Sequence, residues 1–227
     1  MEHGAQVHLL LTSPGHDRPA LPASPWRGWV LTDRGPVDPP TAAHSLRPSP
    51  MSPRVERLLV AAVAGDDLDA LMHLARQSGP GQDAARVLAA LRLAPVSTSE
   101  AVELLREALA GGRPTENKIL RRHWSDLRVH VALAPSVPAL LPLDWTALVL
   151  LTAALLAEAG RTPEALAALE SAPPLPTTVL ARTALLLSLG EHARVLEGTA
   201  GVTNVDDVTA LTLIARSVSA RSLSDHA

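Results

Sequence analysis

Cysteine, phenylalanine and tyrosine are absent from this 227-residue chain, and lysine occurs once, at Lys118. The missing cysteine excludes disulfides, thiolate zinc sites and a cysteine nucleophile, and fits a reducing compartment, which points to a cytoplasmic location. With no Phe or Tyr and only four Trp, the 47% of hydrophobic residues is carried almost wholly by Leu, Ala and Val. Leu and Ala are strong helix formers, and alanine faces let helix axes approach closely, so an all-α core of packed helices is expected. A net charge of −3 and a pI near 6.3 give the chain no general attraction to phosphate backbones or anionic lipid, which argues against nucleic acid as a partner. Long apolar runs are also missing. The longest, residues 145–157, is too short to span a bilayer, and no basic segment followed by an apolar stretch opens the chain, so no membrane partner is expected.

Proline is plentiful but unevenly placed: half of the twenty fall before residue 54. Pro39, Pro40, Pro48, Pro50 and Pro53 interrupt any regular element, and apolar pieces such as residues 7–11 and 26–30 are too isolated to form a core. Residues 1–53 therefore read as a Pro-rich disordered tail or a mis-called leader, with Met51 a candidate true start. If the tail is real, Trp26 and Trp29 are its means of docking on a partner.

From Arg54 to Ala227 the text changes to amphipathic helices of roughly ten to sixteen residues, punctuated by Gly, Pro and capping residues, as in helical hairpins. Gly160 anchors one unit, with Leu156 before it and Ala165, Leu169 and Ala172 after. Gly190 repeats the frame with Leu186 and Val195, and Gly65 with Ala61, Ala70 and Leu74. A fourth unit places its turn at Val96, with Ala101, Leu105 and Ala108, and a fifth near Ser224. The anchors lie 30 to 34 residues apart, with one interval of 64, and so scatter about the 34-residue period of tetratricopeptide repeats. Small residues belong where two helices of a hairpin cross, and Gly permits a left-handed turn. The competing reading is a non-repetitive bundle rich in Ala and Leu. Caps are expected at Ser97 with Glu100, at Asp144 before Trp145, and at Thr162 with Pro163 and Glu164.

Residues 127–143 break the helical pattern. Val129 and Val131 alternate with Arg128 and His130, then come Pro135, Ser136 and Pro138, then residues 139–143; this predicts a small β-hairpin inserted in the helical domain.

With these features in place, residues from about 100 to 227 resemble a type of actinobacterial tetratricopeptide-repeat protein. The likeness is carried by "AVELLREALAGGR", "RVHVALAPSVPALLPLD", "ALLAEAGRTPEALAALE" and "GVTNVDDVTALTLIARSVSA". It implies a solenoid of helical hairpins serving as an interaction scaffold, and it passes on no catalytic residue. In the likened proteins a further repeat follows, whereas this chain stops in the turn of one. Its last helix would then show an apolar face, through which self-association is expected unless that helix is itself the cap.

The chemistry-bearing residues are scattered. None of the nine His falls in HExxH, and the only i, i+4 pairings of a His with a carboxylate are Asp69 with His73 and Asp126 with His130, so neither a metal site nor a cofactor is expected. Asp206 and Asp207 after Asn204 read as helix caps rather than as an acid–base pair, and Gly111, Gly112 and Arg113 lack the strand and lysine of a phosphate loop. Arg121, Arg122, Trp124 and Arg128 cluster beside His123 and Asp126 and are the candidate partner contacts, with a solvated polar lead-in to the hairpin as the plainer reading. The sum is a non-catalytic protein–protein scaffold that binds a protein or peptide. The alternative is an accessory domain of a transcriptional regulator, which lacks a recognition helix here.

Overall fold

The computed structural model describes residues 8–9, 24–46, 48–111, 117–134, 137–203 and 207–224. Among them the chain forms eleven helices and a small antiparallel sheet. The strands are β1 (His8–Leu9), β2 (Gly28–Thr32), β3 (Gly35–Val37), β4 (Leu127–Ala134) and β5 (Val137–Pro142). The helices are α1 (Pro39–Ser45), α2 (Arg54–Ala64), α3 (Leu68–Arg76), α4 (Gln82–Leu93), α5 (Thr98–Ala110), α6 (Lys118–His123), α7 (Trp145–Glu158), α8 (Thr162–Glu170), α9 (Pro176–Ser188), α10 (His192–Gly198) and α11 (Asp207–Ser224). No described helix is long and apolar enough to cross a membrane.

Three aspartates start helices in the same way. The side chains of Asp38, Asp67 and Asp144 accept from the backbone amides of Thr41, Ala70 and Ala147 at 3.0, 2.9 and 2.7 Å, each satisfying an orphan donor at a helix N-terminus. Asp144 was expected in this role. Ser97 precedes α5 but its side chain makes no capping bond, and α8 begins at Thr162 itself, with Arg161 in the cap position.

Three helix ends share one closure. Asp66, Gly160 and Gly190 have φ of 48°, 74° and 72°, and the next residue of each reverses the chain by donating to a carbonyl inside the finished helix. Those bonds are Asp67 N–H to Ala62 O, Arg161 N–H to Leu156 O, and Glu191 N–H to Leu186 O, at 2.8, 2.8 and 3.0 Å. The expected Gly65 anchor is thus displaced by one residue: Gly65 is right-handed at φ −81°, and Asp66 takes the strained position. An aspartate stands there because its carboxylate is used, accepting from Trp26 Nε1 at 3.0 Å and Arg92 Nε at 2.8 Å. At Val96 the turn closes without a left-handed residue, through Ser97 N–H to Leu93 O at 2.7 Å.

The sheet runs β1-β5-β4-β2-β3, all neighbours antiparallel. The expected hairpin is β4 with β5, and the prolines that crowd it are accommodated by parity. Leu143 N–H donates to Leu127 O, so by the alternation of a strand Leu141 and Ala139 also point toward β4, while Pro138 and Pro142 point their nitrogens away from it.

The disordered tail expected over residues 1–53 is corrected in its described part. β2, β3 and α1 all lie within it, and Trp26, Trp29 and Ala43 are buried at 2, 4 and 2% exposure. The physical reason is that a piece such as residues 26–30 needs no core of its own: Gly28, Trp29 and Val30 pair with Val129, Arg128 and Leu127, a hundred residues away. Both Trp belong to the interior rather than to a docking arm. Residues 1–7 and 10–23 lie outside the described residues.

One continuous hydrophobic cluster runs from Trp26 to Val208. Its centre is α4 and α7, which are apolar on almost every face, as fits helices enclosed by others: α4 buries residues from Ala84 to Leu93, and α7 those from Ala147 to Leu156. Thr152 sits inside α7 with its hydroxyl donating to Leu148 O at 2.8 Å, so that its burial leaves no unmet polar group.

Candidate functional site

The arginine-rich cluster singled out in the sequence is divided by the fold. Trp124 is 1% exposed, with its ring edge-on to His123 at a centroid distance of 5.8 Å, so it anchors the core and is withdrawn from the candidate partner contacts. Arg122 reaches across to α2 and donates to both carboxylate oxygens of Glu56, at 3.0 and 3.1 Å. Arg121 remains exposed, and Arg128 is half-buried in β4. The cluster's chemistry is therefore directed inward. Glu56 is buried, and it accepts from His123 Nε2 at 2.7 Å; since a carboxylate only accepts, His123 carries its proton on Nε2. The His123 bond is the main reason that the Glu56 carboxyl is held below its usual range, with bonds from Ser52 and Arg122 adding to it and burial opposing it.

A mainly apolar depression borders β4. A cleft of about 340 Å³ is walled by Ala132, Leu133 and Ala134 of β4, by Leu150, Ala153, Ala154 and Ala157 of α7, by Leu169 of α8, and by Ala181, Ala184 and Leu185 of α9. Glu158, Thr162 and Ser188 supply its polar margin. The alanines that made the sequence read as close-packed helices also leave a gap between α7, α9 and β4, because their short side chains do not fill it. Arg27 stands at one end. Its Nη2 pairs with Glu158 at 3.3 Å, and its Nη1 donates to His130 Nδ1 at 3.4 Å. Burial, and then the Arg27 charge, lower the His130 pKa, so the imidazole is neutral at pH 7 and its Nδ1 is free to accept. Nothing in the sequence linked Arg27, His130 and Glu158; alternation put His130 on a strand, but its partners come from β2's lead-in and the end of α7.

A second feature borders the same cleft. β4 is paired by β5 along most of its length, but β2 covers only residues 127–129, and the ladder is prolonged by one bond, His130 N–H to Arg27 O at 2.9 Å. There β2's line leaves the sheet, because Arg27 N–H turns to Leu91 O of α4 at 2.8 Å and Trp26 reaches Asp66. Residues 131–134 consequently have no strand beside them on that edge among the described residues. By the same parity as His130, the amide of Ala132 points toward the uncovered side, and Ala132 itself is exposed.

Other expectations fall elsewhere. Asp69 and His73 lie on α3, where His73 Nε2 bonds Gln77, and Asp126 lies in the turn before β4. Among the described residues no group of three His, Asp or Glu could hold a metal ion. A wider groove of about 580 Å³ between α3, α4 and α5 sets Arg76 and Arg86 against Glu100, Glu103 and Glu107, with Arg86 already paired to Asp83 and Glu107. On α11 the buried face is Val208, Thr209, Thr212, Ala215 and Ser219, while Ile214 and Val218 are 60 and 53% exposed. Asn204, Asp206, Gly112 and Arg113 lie outside the described residues. No family model, curated protein or solved structure matches the chain.

Proposed function

We propose that the protein is a non-catalytic scaffold of tetratricopeptide-like helical hairpins that binds a segment of another protein in the cleft between β4 and helices α7 to α9. The observation that carries this reading is the cleft itself: a concave, mainly apolar gap walled by alanines on rigid elements, with charge confined to one end at Arg27 and Glu158. Asp66, Gly160 and Gly190 share one left-handed closure, at three of the four described hairpin turns, and this supports the repeat character because hairpins of one kind reverse the chain in one way. A partner's apolar side chains entering the cleft would bury surface that is now in contact with water, and the margin at Glu158, Thr162 and Ser188 would orient its backbone.

The test is selection from a random-peptide display library against the full chain, followed by titration of the recovered peptides against Ala184→Glu and Ala157→Leu. The first variant puts a charge on the cleft wall and the second fills it. Peptides that bind the parent chain and lose affinity for both variants, with melting temperatures kept, are expected. Recovery of no peptide, or of peptides indifferent to both substitutions, would refute the reading.

A further inference from the structure

We infer that the solvent-facing side of α2 and α6 is a second docking surface, which takes an acidic segment with interspersed apolar residues from a partner protein. No residue of α2 or α6 lines the cleft, so this surface is distinct from it and goes beyond the reading above.

The two helices are charged in one sense. Together they carry Arg54, Arg57, Lys118, Arg121 and Arg122 against Glu56 alone, a net charge of +4 in a chain whose total is −3. They are also held side by side. At one end of α6 the Asn117 side-chain amide donates to Pro80 O at 2.9 Å, next to Gly81, which stands against Val55 of α2; at the other end Arg122 and His123 both reach Glu56. Glu56 is buried by these contacts, so the charge that the pair shows to water is positive. Arg54, Arg57, Lys118 and Arg121 are exposed and pair with no carboxylate among the described residues, and Arg122 stays 57% exposed. The nearest described carboxylates along the chain are engaged: Asp38 and Asp67 cap helices, Asp66 accepts from Trp26 and Arg92, and Asp126 accepts from Ser125.

The chemistry of the occupant follows from what the surface offers. Its field attracts negative charge, and the arginine forks match carboxylates or phosphates. The apolar side chains decide between those two. Arg54, Leu58 and Ala61 fall at helical spacing on the exposed side of α2; Leu58 is 46% exposed, and Met51, three residues before Arg54, is 91% exposed. Such surface is matched by a partner's apolar side chain and is unmatched by a phosphate backbone. Nucleic acid also favours an aromatic platform for its bases, and Trp26, Trp29 and Trp124 are all buried. The chain supplies no match of its own. None of the undescribed stretches holds more than one Asp or Glu, and on a second copy the acidic stripe of α5 is already engaged, Glu103 by Arg106 and Glu107 by Arg86. The carboxylates therefore come from a different protein.

The experiment is selection of a random-peptide display library on the full chain, with counter-selection on Arg54→Glu/Arg121→Glu. Fluorescence anisotropy then follows each recovered peptide, a mixed-sequence DNA duplex and a single-stranded RNA. Peptides with several Asp or Glu and apolar residues between them are expected, with affinity that weakens as salt rises and falls roughly ten-fold in the charge-reversed chain. Leu58→Ser should weaken the same peptides roughly three-fold. Arg54 and Arg121 make no ion pair, so the melting temperature should be kept; Arg54→Gln/Arg121→Gln, expected to give a smaller loss, serves if the reversed chain does not fold. Arg182→Glu on α9 and Ala184→Glu on the cleft wall should leave these peptides bound. Recovery of no acidic peptide, affinity indifferent to both double substitutions, or an equal loss with Arg182→Glu overturns the inference. Nucleic acid that binds more tightly than any recovered peptide and is released by the same substitutions assigns the surface to phosphate and likewise overturns it. Loss with Ala184→Glu alone places the peptides in the cleft, which removes this inference and leaves the scaffold reading standing.

Discussion

Glu56→Ala isolates the inward-facing charge cluster and gives the sharpest test of how α2 is tied to α6. The Glu56 side chain is 3% exposed, His123 9% and Arg122 57%. Those exposures decide which contact matters. A hydrogen bond from His123 to a buried carboxylate contributes about 1.5–3 kcal/mol, whereas an ion pair to a mostly solvated guanidinium contributes about 0–1 kcal/mol. Removing the carboxylate also strands the buried imidazole donor, so the expected cost of Glu56→Ala is about 2–4 kcal/mol, and that of Arg122→Ala is below about 1 kcal/mol. At roughly 2–4 °C per kcal/mol for a chain of this size, the first should lower Tm by roughly 5–15 °C and the second by a few degrees at most. Urea unfolding followed by tryptophan fluorescence measures both. The pH dependence has a fixed sign. The folded Glu56 carboxyl lies below its ordinary value of 4.5, so its contribution is fully present above that pH and is lost as pH falls through the folded value. Glu56→Gln should flatten the stability profile below pH 4.5. Equal costs for Glu56→Ala and Arg122→Ala, or a profile unchanged by Glu56→Gln, would refute the reasoning.

Two further outcomes follow from backbone and side-chain geometry. Gly160→Ala and Gly190→Ala each force a side chain into φ above +70° and should cost about 1–2 kcal/mol in urea unfolding, while Gly65→Ala, at φ −81°, should fall within about 0.5 kcal/mol of the parent. His130 should titrate by NMR below its ordinary 6.5, because of burial first and the Arg27 charge second; Arg27→Met should raise it again. A folded His pKa below the unfolded one means that this contribution to stability is present above pH 6.5 and declines as pH falls toward the folded value.

Local chemistry explains why some elements were legible in the sequence and others were not. The helices from Arg54 onward follow from apolar spacing and from caps such as Asp144, and the β4–β5 hairpin from the alternation at residues 128–131; these signals lie within a dozen residues and survive without tertiary context. β2, β3 and α1 carry no such signal, because Gly28–Thr32 acquires its neighbours only when β4 is already in place. The position of the first hairpin turn was off by one for a related reason: the text shows Gly65, but what fixes Asp66 in the left-handed region is a carboxylate shared by Trp26 and Arg92, from elements before and after it. Trp124 was misread because an indole among arginines looks like a recognition surface, and only its burial in the folded chain shows that it belongs to the core. The candidate cleft was hidden for the opposite reason: its walls are alanines, which a sequence reading assigns to close packing.

The N-terminal segment links these observations. Trp26 leaves the line of β2 to hydrogen-bond Asp66 at the α2–α3 turn, and Arg27 N–H follows it to Leu91 of α4, yet the carbonyl and guanidinium of the same Arg27 remain bound to His130 of β4 and Glu158 of α7. A single residue thus fastens the sheet to both α4 and α7, and β2's pairing with β4 ends at that point. Had Trp26 stayed in register, it would have faced Val131 of β4. The junction that makes residues 24–46 part of the fold is therefore also the point at which β2's pairing with β4 stops. Its position is set by α2, α4 and α7 rather than by the hairpin alone.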